Sequence, residues 1–345
     1  MVLVPGAAER DSAEANGQAR IGPKGMHMPQ LTTPVEVSLK NILVSADFSS
    51  ASLNALKCVL PLAKQFNSTI HILHVVQPPE TDIKSLAAES ITDQQSESDA
   101  QRQLGNLGTV VGTIPHRTWL RHGKVWEAIE DIIRSTHIDL VVVGTSRNSE
   151  LRKLFLGSVA ESIIRDAPCP VLAVGPHVSS EAFGHSLAQL LYATNLWEES
   201  HHGLEYAIQI AIRCESRLLL LHVVEQEEPK HSDHEWLRDY RRLLRRLLPE
   251  RTDDLPIEPV LRIEVAKNSA ARILQVADEI SADLIVMDVR PEEPWATHLP
   301  DKISEIISSA NCPVLTIRTV HECAASPREN EDVGKVERCG HSQLS

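Results

Sequence analysis

Ile42-Leu43-Val44-Ser45-Ala46-Asp47 opens a block of sequence that closes on Ile72-Leu73-His74-Val75-Val76. The pattern then returns. Leu190-Leu191-Tyr192-Ala193-Thr194-Asn195 opens a second block, and Leu220-Leu221-His222-Val223-Val224 closes it, aligned with the first without a gap. Roughly a quarter of the aligned positions are identical, as in an old internal duplication. Further on, Ile138-Asp139-Leu140-Val141-Val142-Val143 is matched by Ala282-Asp283-Leu284-Ile285-Val286-Met287. Ala167-Pro168-Cys169-Pro170-Val171-Leu172 is matched by Ala310-Asn311-Cys312-Pro313-Val314-Leu315. Four matched blocks in one order make two copies of one domain, and a chain of 345 residues has room for two.

Inside each copy, short aliphatic runs alternate with segments of helical period. Residues 42–46, 70–76, 117–121, 139–143 and 171–174 read as strands that are too short and too continuously apolar to be half-exposed. The second copy repeats them near 189–194, 218–224, 257–264, 284–288 and 314–318. Leu53, Leu56, Leu60, Ala63 and Phe66 form a helical stripe behind Ser49 or Ser50 as N-cap, and Ile129, Ile132 and Ile133 form one face of a helix over 125–136. Strands alternating with helices predict a parallel sheet covered on both faces. Three stretches stand apart. Residues 1–36 and 320–345 lack apolar periodicity and are expected to be disordered tails. Residues 78–101 hold six acids against one lysine and read as a mobile, acidic connection into a helix ending near Leu107.

Composition removes several classes of function. Lys and Arg number 34 against 47 Asp and Glu, a formal charge of −13, and aromatic residues are 3% of the chain. Such a chain neither neutralises a phosphate backbone nor stacks bases, so nucleic acid is not expected as a partner. No apolar run reaches the length of about 18 residues that a bilayer span requires, so no membrane is expected. The first residues lack the basic start and apolar stretch of a secretory signal. The six cysteines (Cys58, Cys169, Cys214, Cys312, Cys323 and Cys339) form no CxxC pair and fit free thiols in the cytoplasm.

The chemistry concentrates after the fourth strand of copy one: Gly144-Thr145-Ser146-Arg147, nine residues, then Gly157-Ser158. A glycine at a strand's carboxyl end admits a close approach by ligand or backbone. A Gly-Ser pair that opens a helix offers unbonded amides, a hydroxyl and the positive helix end, all suited to a phosphate. Asp47, at the end of strand one, shares that edge of the sheet, where open parallel sheets bind ligands. An ordinary Gly turn with a Ser cap reads the same glycines and serine equally well.

With these residues in hand, each copy resembles the universal stress protein domain. The resemblance rests on 42–49, on Leu73-His74-Val75-Val76, on Asp139-Leu140-Val141-Val142-Val143-Gly144, and on Gly157-Ser158 followed by Cys169-Pro170-Val171-Leu172. It covers residues 38–176 and 186–318. It implies an α/β fold: two tandem five-stranded, parallel-sheet domains, Rossmann-like and of the adenine nucleotide alpha hydrolase kind, paired through their last strands. Val171 to Val174 would lie against Val314 to Ile317 in an intramolecular pseudo-dimer. It also implies ATP with Mg²⁺ in copy one. Ala46 and Asp47 would flank the adenosine, with Asp47 on the ribose, and Val75 would meet the adenine. Val143 and Gly144 would line the adenine–ribose side, while Gly157, Ser158 and Val159 would hold the phosphates. The motif's second glycine is Arg147, which departs from the pattern. A left-handed backbone there costs a non-glycine residue about 1–2 kcal/mol, which the guanidinium would offset by reaching the triphosphate; Arg152 and Lys153 are a second basic source but read first as solvated helix-entry charges.

Copy two departs everywhere: Asn195 stands for Asp47, Asp288 for Gly144, and Pro300-Asp301 for Gly157-Ser158. Asp288 would put bulk and charge in the nucleotide's path, proline removes an amide, and an aspartate at the helix start repels phosphate. No triphosphate site is expected there. His231, Asp233 and His234 read as solvated surface. Leu237, Tyr240, Leu244 and Leu247 oppose Arg238, Arg241, Arg242, Arg245 and Arg246 on a helix that packs its leucines and solvates its arginines. His74 and His222 recur at one strand position as packing residues, and Cys169 and Cys312 as strand-entry residues. No Walker motif and no GxGxxG is present. The functional expectation is a nucleotide-responsive stress or signalling module with adenine nucleotide, other proteins and a second chain as partners. The alternative is a scaffold acting through protein contacts alone. No catalytic residue is expected, and slow hydrolysis or self-phosphorylation on Ser158 has no identifiable general base.

Overall fold

The computed structural model describes residues 37–77, 89–146, 156–179, 187–196, 201–226, 234–248, 258–289 and 298–318. The tails, Arg147, Arg152, Lys153, His231 and Asp233 lie outside them. Copy one runs β1 (Asn41–Ser45), α1 (Ser50–Phe66), β2 (Thr69–Val76), α2 (Glu89–Val111), β3 (His116–His122), α3 (Val125–Thr136), β4 (Leu140–Gly144), α4 (Ser158–Asp166) and β5 (Val171–Val174). Copy two runs β6 (Gln189–Thr194), α5 (His201–Cys214), β7 (Arg217–Glu225), α6 (His234–Leu247), β8 (Val260–Ala266), α7 (Ser269–Glu279), β9 (Leu284–Val289), α8 (Asp301–Ser309) and β10 (Val314–Arg318).

The strands form one sheet in the order β3-β2-β1-β4-β5-β10-β9-β6-β7-β8. Pairing is parallel within each copy and antiparallel where the copies meet, with Leu172 opposite Leu315 and Val171 opposite Thr316. Because neighbouring side chains on a strand alternate between faces, this register sends Leu172 and Leu315 into the core under α1, α2, α5 and α6. Val171, Ala173 and Val314 enter the core under α3, α4, α7 and α8. Both apolar layers therefore pass through the junction without a break.

Local sequence explains the helix limits. Ser49 accepts from Ser52 N at 3.1 Å and caps α1, which ends on Asn67 in the left-handed region at φ 51°. The acidic stretch expected as a connection is helical from Glu89, and α2 continues to Val111, four residues past Leu107. Its buried Ala100, Leu104, Leu107 and Val111 recur at helical spacing, and their burial holds a helix that composition alone does not announce.

The duplication extends to backbone conformation. Left-handed residues occur in matched pairs: Phe48 and Leu196 at φ 62° and 60°, Asn67 and Glu215 at 51° and 54°, His137 and Ser281 at 50° and 51°. The repeated Asp-Leu motif has a structural use in both copies. Asp139 Oδ2 accepts from Asn41 N at 2.8 Å and Asp283 Oδ2 from Gln189 N at 2.8 Å, each fixing the start of the neighbouring strand.

Candidate functional site

In each copy the chain reverses direction across the sheet between its first and fourth strands, β1 and β4 in copy one, and a crevice opens beyond their carboxyl ends. In copy one this is a cleft of about 590 Å³, within the size range of small-molecule sites. Ala46, Asp47, Val75, Val143, Gly144, Gly157, Ser158 and Val159 all line it. The fold thus gathers these eight residues of copy one at one place, while Arg147, Arg152 and Lys153 lie outside the described residues. It adds Ser52, His74, Gln77 and Val125, which the sequence did not single out as site residues.

The two glycines differ in what they do. A Cβ on Gly144 would stand 2.3 Å from Ala51 O and 2.8 Å from Ser52 N. Gly144 is therefore required by the first turn of α1, which lies against the end of β4. No described heavy atom lies within 4 Å of a Cβ placed on Gly157, and its φ of −58° is open to any residue. The described residues make no steric demand for glycine at that position.

That helix end is electrostatically open. Gly157 caps α4 without a side-chain bond, and the first amide bonded within the helix is Glu161 N, to Gly157 O at 2.9 Å. The amides of Ser158, Val159 and Ala160 precede it and point toward the helix entrance, where the macrodipole is positive. Glu161, the acid of the first turn, is drawn to copy two instead: its Oε1 accepts from Leu299 N at 3.1 Å and lies 3.2 Å from His298 Nδ1. Across the cleft, Asp47 Oδ1 accepts from Ser49 N at 2.9 Å. Partial burial works to raise the Asp47 carboxyl. Hydrogen bonds from the Ser49 and Ser52 side chains and the Ser49 amide outweigh it, and the group stays ionised below the usual aspartate range.

Copy two fills the same positions with side chains that bond one another. Asp288 does not stand in the path of a nucleotide as expected from sequence. Its side chain leaves the strand in the direction the missing Cβ of Gly144 would take, under the neighbouring helix. There Oδ2 accepts from Tyr192 OH at 2.7 Å and Oδ1 from Gly203 N at 2.9 Å, so the carboxyl caps α5 from below. Burial pushes it up to about 6 against the pull of those two bonds. At the other end, Lys302 occupies the position of Val159 and bonds Glu225 at 3.0 Å, and Glu225 also accepts from Ser269 N at 3.2 Å. This bridge ties the start of α8 to β7 and α7 where copy one has Val159, Gln77 and Val125.

Other sequence features fall into structural roles. Leu243, Leu244 and Leu247 of α6 are buried and its arginines exposed. Burial raises the thiols of Cys58, Cys169 and Cys312 to about 12, which leaves them unreactive. Among the described residues there is no group of three or more His, Cys, Asp or Glu side chains able to hold a metal ion, and no helix long and apolar enough to cross a membrane.

Comparison with known proteins agrees with this architecture. A universal stress protein of Methanocaldococcus jannaschii is 30% identical over 141 residues, 39% of this chain and 81% of that protein. The universal stress protein A homolog 1 of Coxiella burnetii is 31% identical over 138 residues, 39% of this chain and 95% of its own length. The crystal structure of a universal stress protein from Archaeoglobus fulgidus shares the fold at a TM-score of 0.60 and 19% identity, covering 81% of this chain and 98% of that one. The profile of the universal stress protein family matches twice, over residues 38–175 and 188–318. With both copies matched across most of its length, the chain belongs to the universal stress protein family.

Proposed function

We propose that copy one binds an adenine nucleotide, ATP with Mg²⁺, and that copy two is its structural partner without a nucleotide site. One observation carries this reading: Asp47, Val75, Gly144 and the end of α4 converge on one cleft in copy one, while at the equivalent place in copy two Lys302 stands for Val159 and bonds Glu225, which also accepts from Ser269 N. Asp47 would accept from a ribose hydroxyl, Val75 and Val143 would cover the base and sugar, and the amides of Ser158, Val159 and Ala160 would receive phosphate oxygens. With no metal-ligating cluster among the described residues, Mg²⁺ would be carried by the phosphates. Binding rather than turnover is the proposed activity, because no basic side chain bonds the Ser158 hydroxyl among the described residues. In a cell the protein would act as a nucleotide-responsive stress or signalling module of the cytoplasm, alone or as a homodimer.

Isothermal titration with MgATP tests this, on the wild type and on Asp47→Ala and Gly157→Asp. An aspartate is a good N-cap and meets no steric obstacle at residue 157, so the second variant folds while setting a negative charge where phosphate belongs. Binding of one nucleotide per chain, lost in both variants, is the expected result. No heat at millimolar MgATP would overturn the reading and leave a scaffold acting through protein contacts.

A further inference from the structure

The turn that carries Asp47 is held in a conformation its own sequence disfavours. Between β1 and α1 the chain passes through Ala46, Asp47 and Phe48, and Phe48 lies at φ 62°. A bulky residue enters that region only where its surroundings over-determine it. The surroundings come from β2. Ala46 N donates to Leu73 O at 2.8 Å. His74 Nδ1 lies 2.7 Å from Ala46 O, and because a carbonyl only accepts, Nδ1 carries the proton and the tautomer is fixed. The same imidazole packs on the Phe48 ring, centroids 4.1 Å apart and planes inclined by 30°. One side chain thus grips the residue before Asp47 and the residue after it.

Copy two separates the two parts of this grip. His222 Nδ1 lies 2.9 Å from Thr194 O, and Leu196 holds φ at 60°. There, however, the imidazole stacks on Tyr240 of α6 at 4.9 Å, and the residue between the tethered positions is Asn195. The histidine–carbonyl bond belongs to the duplicated frame. An aromatic residue within the turn itself, Phe48, packed on the histidine, and the acid Asp47 beside it belong to copy one.

We propose that His74 is a positioning residue for copy one's site, fixing through the Ala46 carbonyl and the Phe48 ring the turn that presents Asp47 to the cleft. Its effect on affinity rests on the nucleotide reading above; its effect on Asp47 does not. The first measurement is therefore made without nucleotide, by carbon NMR titration of the Asp47 carboxyl. In the wild type that carboxyl titrates below the ordinary aspartate value because Ser49 and Ser52 donate to it. In His74→Ala the turn is released and the titration moves up toward the ordinary value. His74→Asn places an amide N–H where Nδ1 sits but removes the ring, and His74→Phe keeps a ring and removes the donor. Each restores part of the wild-type behaviour, and one of them serves if the alanine variant does not fold. MgATP affinity falls about five- to tenfold in His74→Ala, the loss associated with one net hydrogen bond and its ordering, and His74→Ala adds nothing to Asp47→Ala. His222→Ala removes the matching bond in copy two, so it lowers the melting temperature and leaves MgATP affinity within about twofold. An Asp47 titration unchanged in a folded His74 variant, or an equal loss of affinity in His222→Ala, would overturn the proposal. If no protein binds MgATP, the nucleotide reading fails and the Asp47 titration still decides the role of His74.

Discussion

Replacing Asp288 by asparagine should make the protein more stable at neutral pH and remove a specific pH dependence. The carboxyl is part-buried beneath the first turn of α5, bonded by Tyr192 OH and Gly203 N, and burial moves it from 3.8 to about 6. At 1.36 kcal/mol per unit, that shift of roughly two units is worth about 3 kcal/mol. Solvent reaching the carboxyl reduces this to about 2 kcal/mol. Between the two values the folded chain keeps a proton that the unfolded chain has already released. Stability therefore falls as pH rises from about 4 to about 7, and the loss is complete above the folded value. The side-chain amide of Asp288→Asn would accept from Gly203 N through its oxygen and donate to the Tyr192 oxygen through its nitrogen, with no charge to desolvate. Urea denaturation of both proteins at intervals from pH 4 to pH 8 measures the effect, and subtracting one curve from the other cancels every other titrating group. The difference should be near zero at pH 4 and reach about 2 kcal/mol in favour of Asp288→Asn at pH 7.5. A difference independent of pH, or one of opposite slope, would show that Asp288 is not held as a desolvated acid and refute the account of it as the buried acceptor beneath α5.

Two substitutions test the geometry of the cleft and of the junction. Gly144→Ala should destabilise by about 1–3 kcal/mol in thermal denaturation, because its Cβ meets the backbone of α1, whereas Gly157→Ala should lose less than about 1 kcal/mol; equal stability of the two would remove the distinction between them. Leu315→Ala, opening a cavity at the shared core, should lower stability by about 2–5 kcal/mol and keep a single calorimetric transition, while two resolved transitions would contradict a core continuous across the copies.

The fold was legible because its information is local and repeated. The aliphatic runs at 42–46 and 189–194 can be read one at a time, and the matched blocks then supply the domain count. The junction pairing came from family resemblance, since nothing in Val171-Leu172-Ala173-Val174 by itself names Val314-Leu315-Thr316-Ile317 as its neighbour. Side-chain direction was less legible. Asp288 read as an obstruction in the cleft because sequence alignment places it over Gly144. Only the structure shows that the missing Cβ of Gly144 faces Ala51, so that the aspartate turns under α5. His74 and His222 carried a signal in their recurrence, which read as packing. Their use depends on which carbonyl each ring meets, and no spacing rule specifies that. The Glu225–Lys302 bridge joins residues far apart in sequence, each unremarkable alone.

The two copies meet the same requirement at the carboxyl edge of the sheet in different ways. Helices arriving there bring amides that lack partners within the helix. In copy two Asp288 accepts from Gly203 N beneath α5, while α8, with Pro300 as its N-cap, has no side-chain cap but carries an acid, Asp301, in its first turn. Copy one caps α1 with Ser49 but leaves the end of α4 without a side-chain cap and turns its nearest acid, Glu161, toward Leu299 of the other copy. An anion bound at α4 would bring to that helix end the negative charge that Asp301 brings to the first turn of α8. Such a ligand stabilises the folded chain by RT ln(1 + [L]/Kd), about 2.7 kcal/mol at a hundredfold excess over Kd. Because both apolar layers cross from β5 to β10 without interruption, that gain would be shared by both copies. Under the proposed reading, fusion would therefore give copy two a stability that depends on a ligand of copy one.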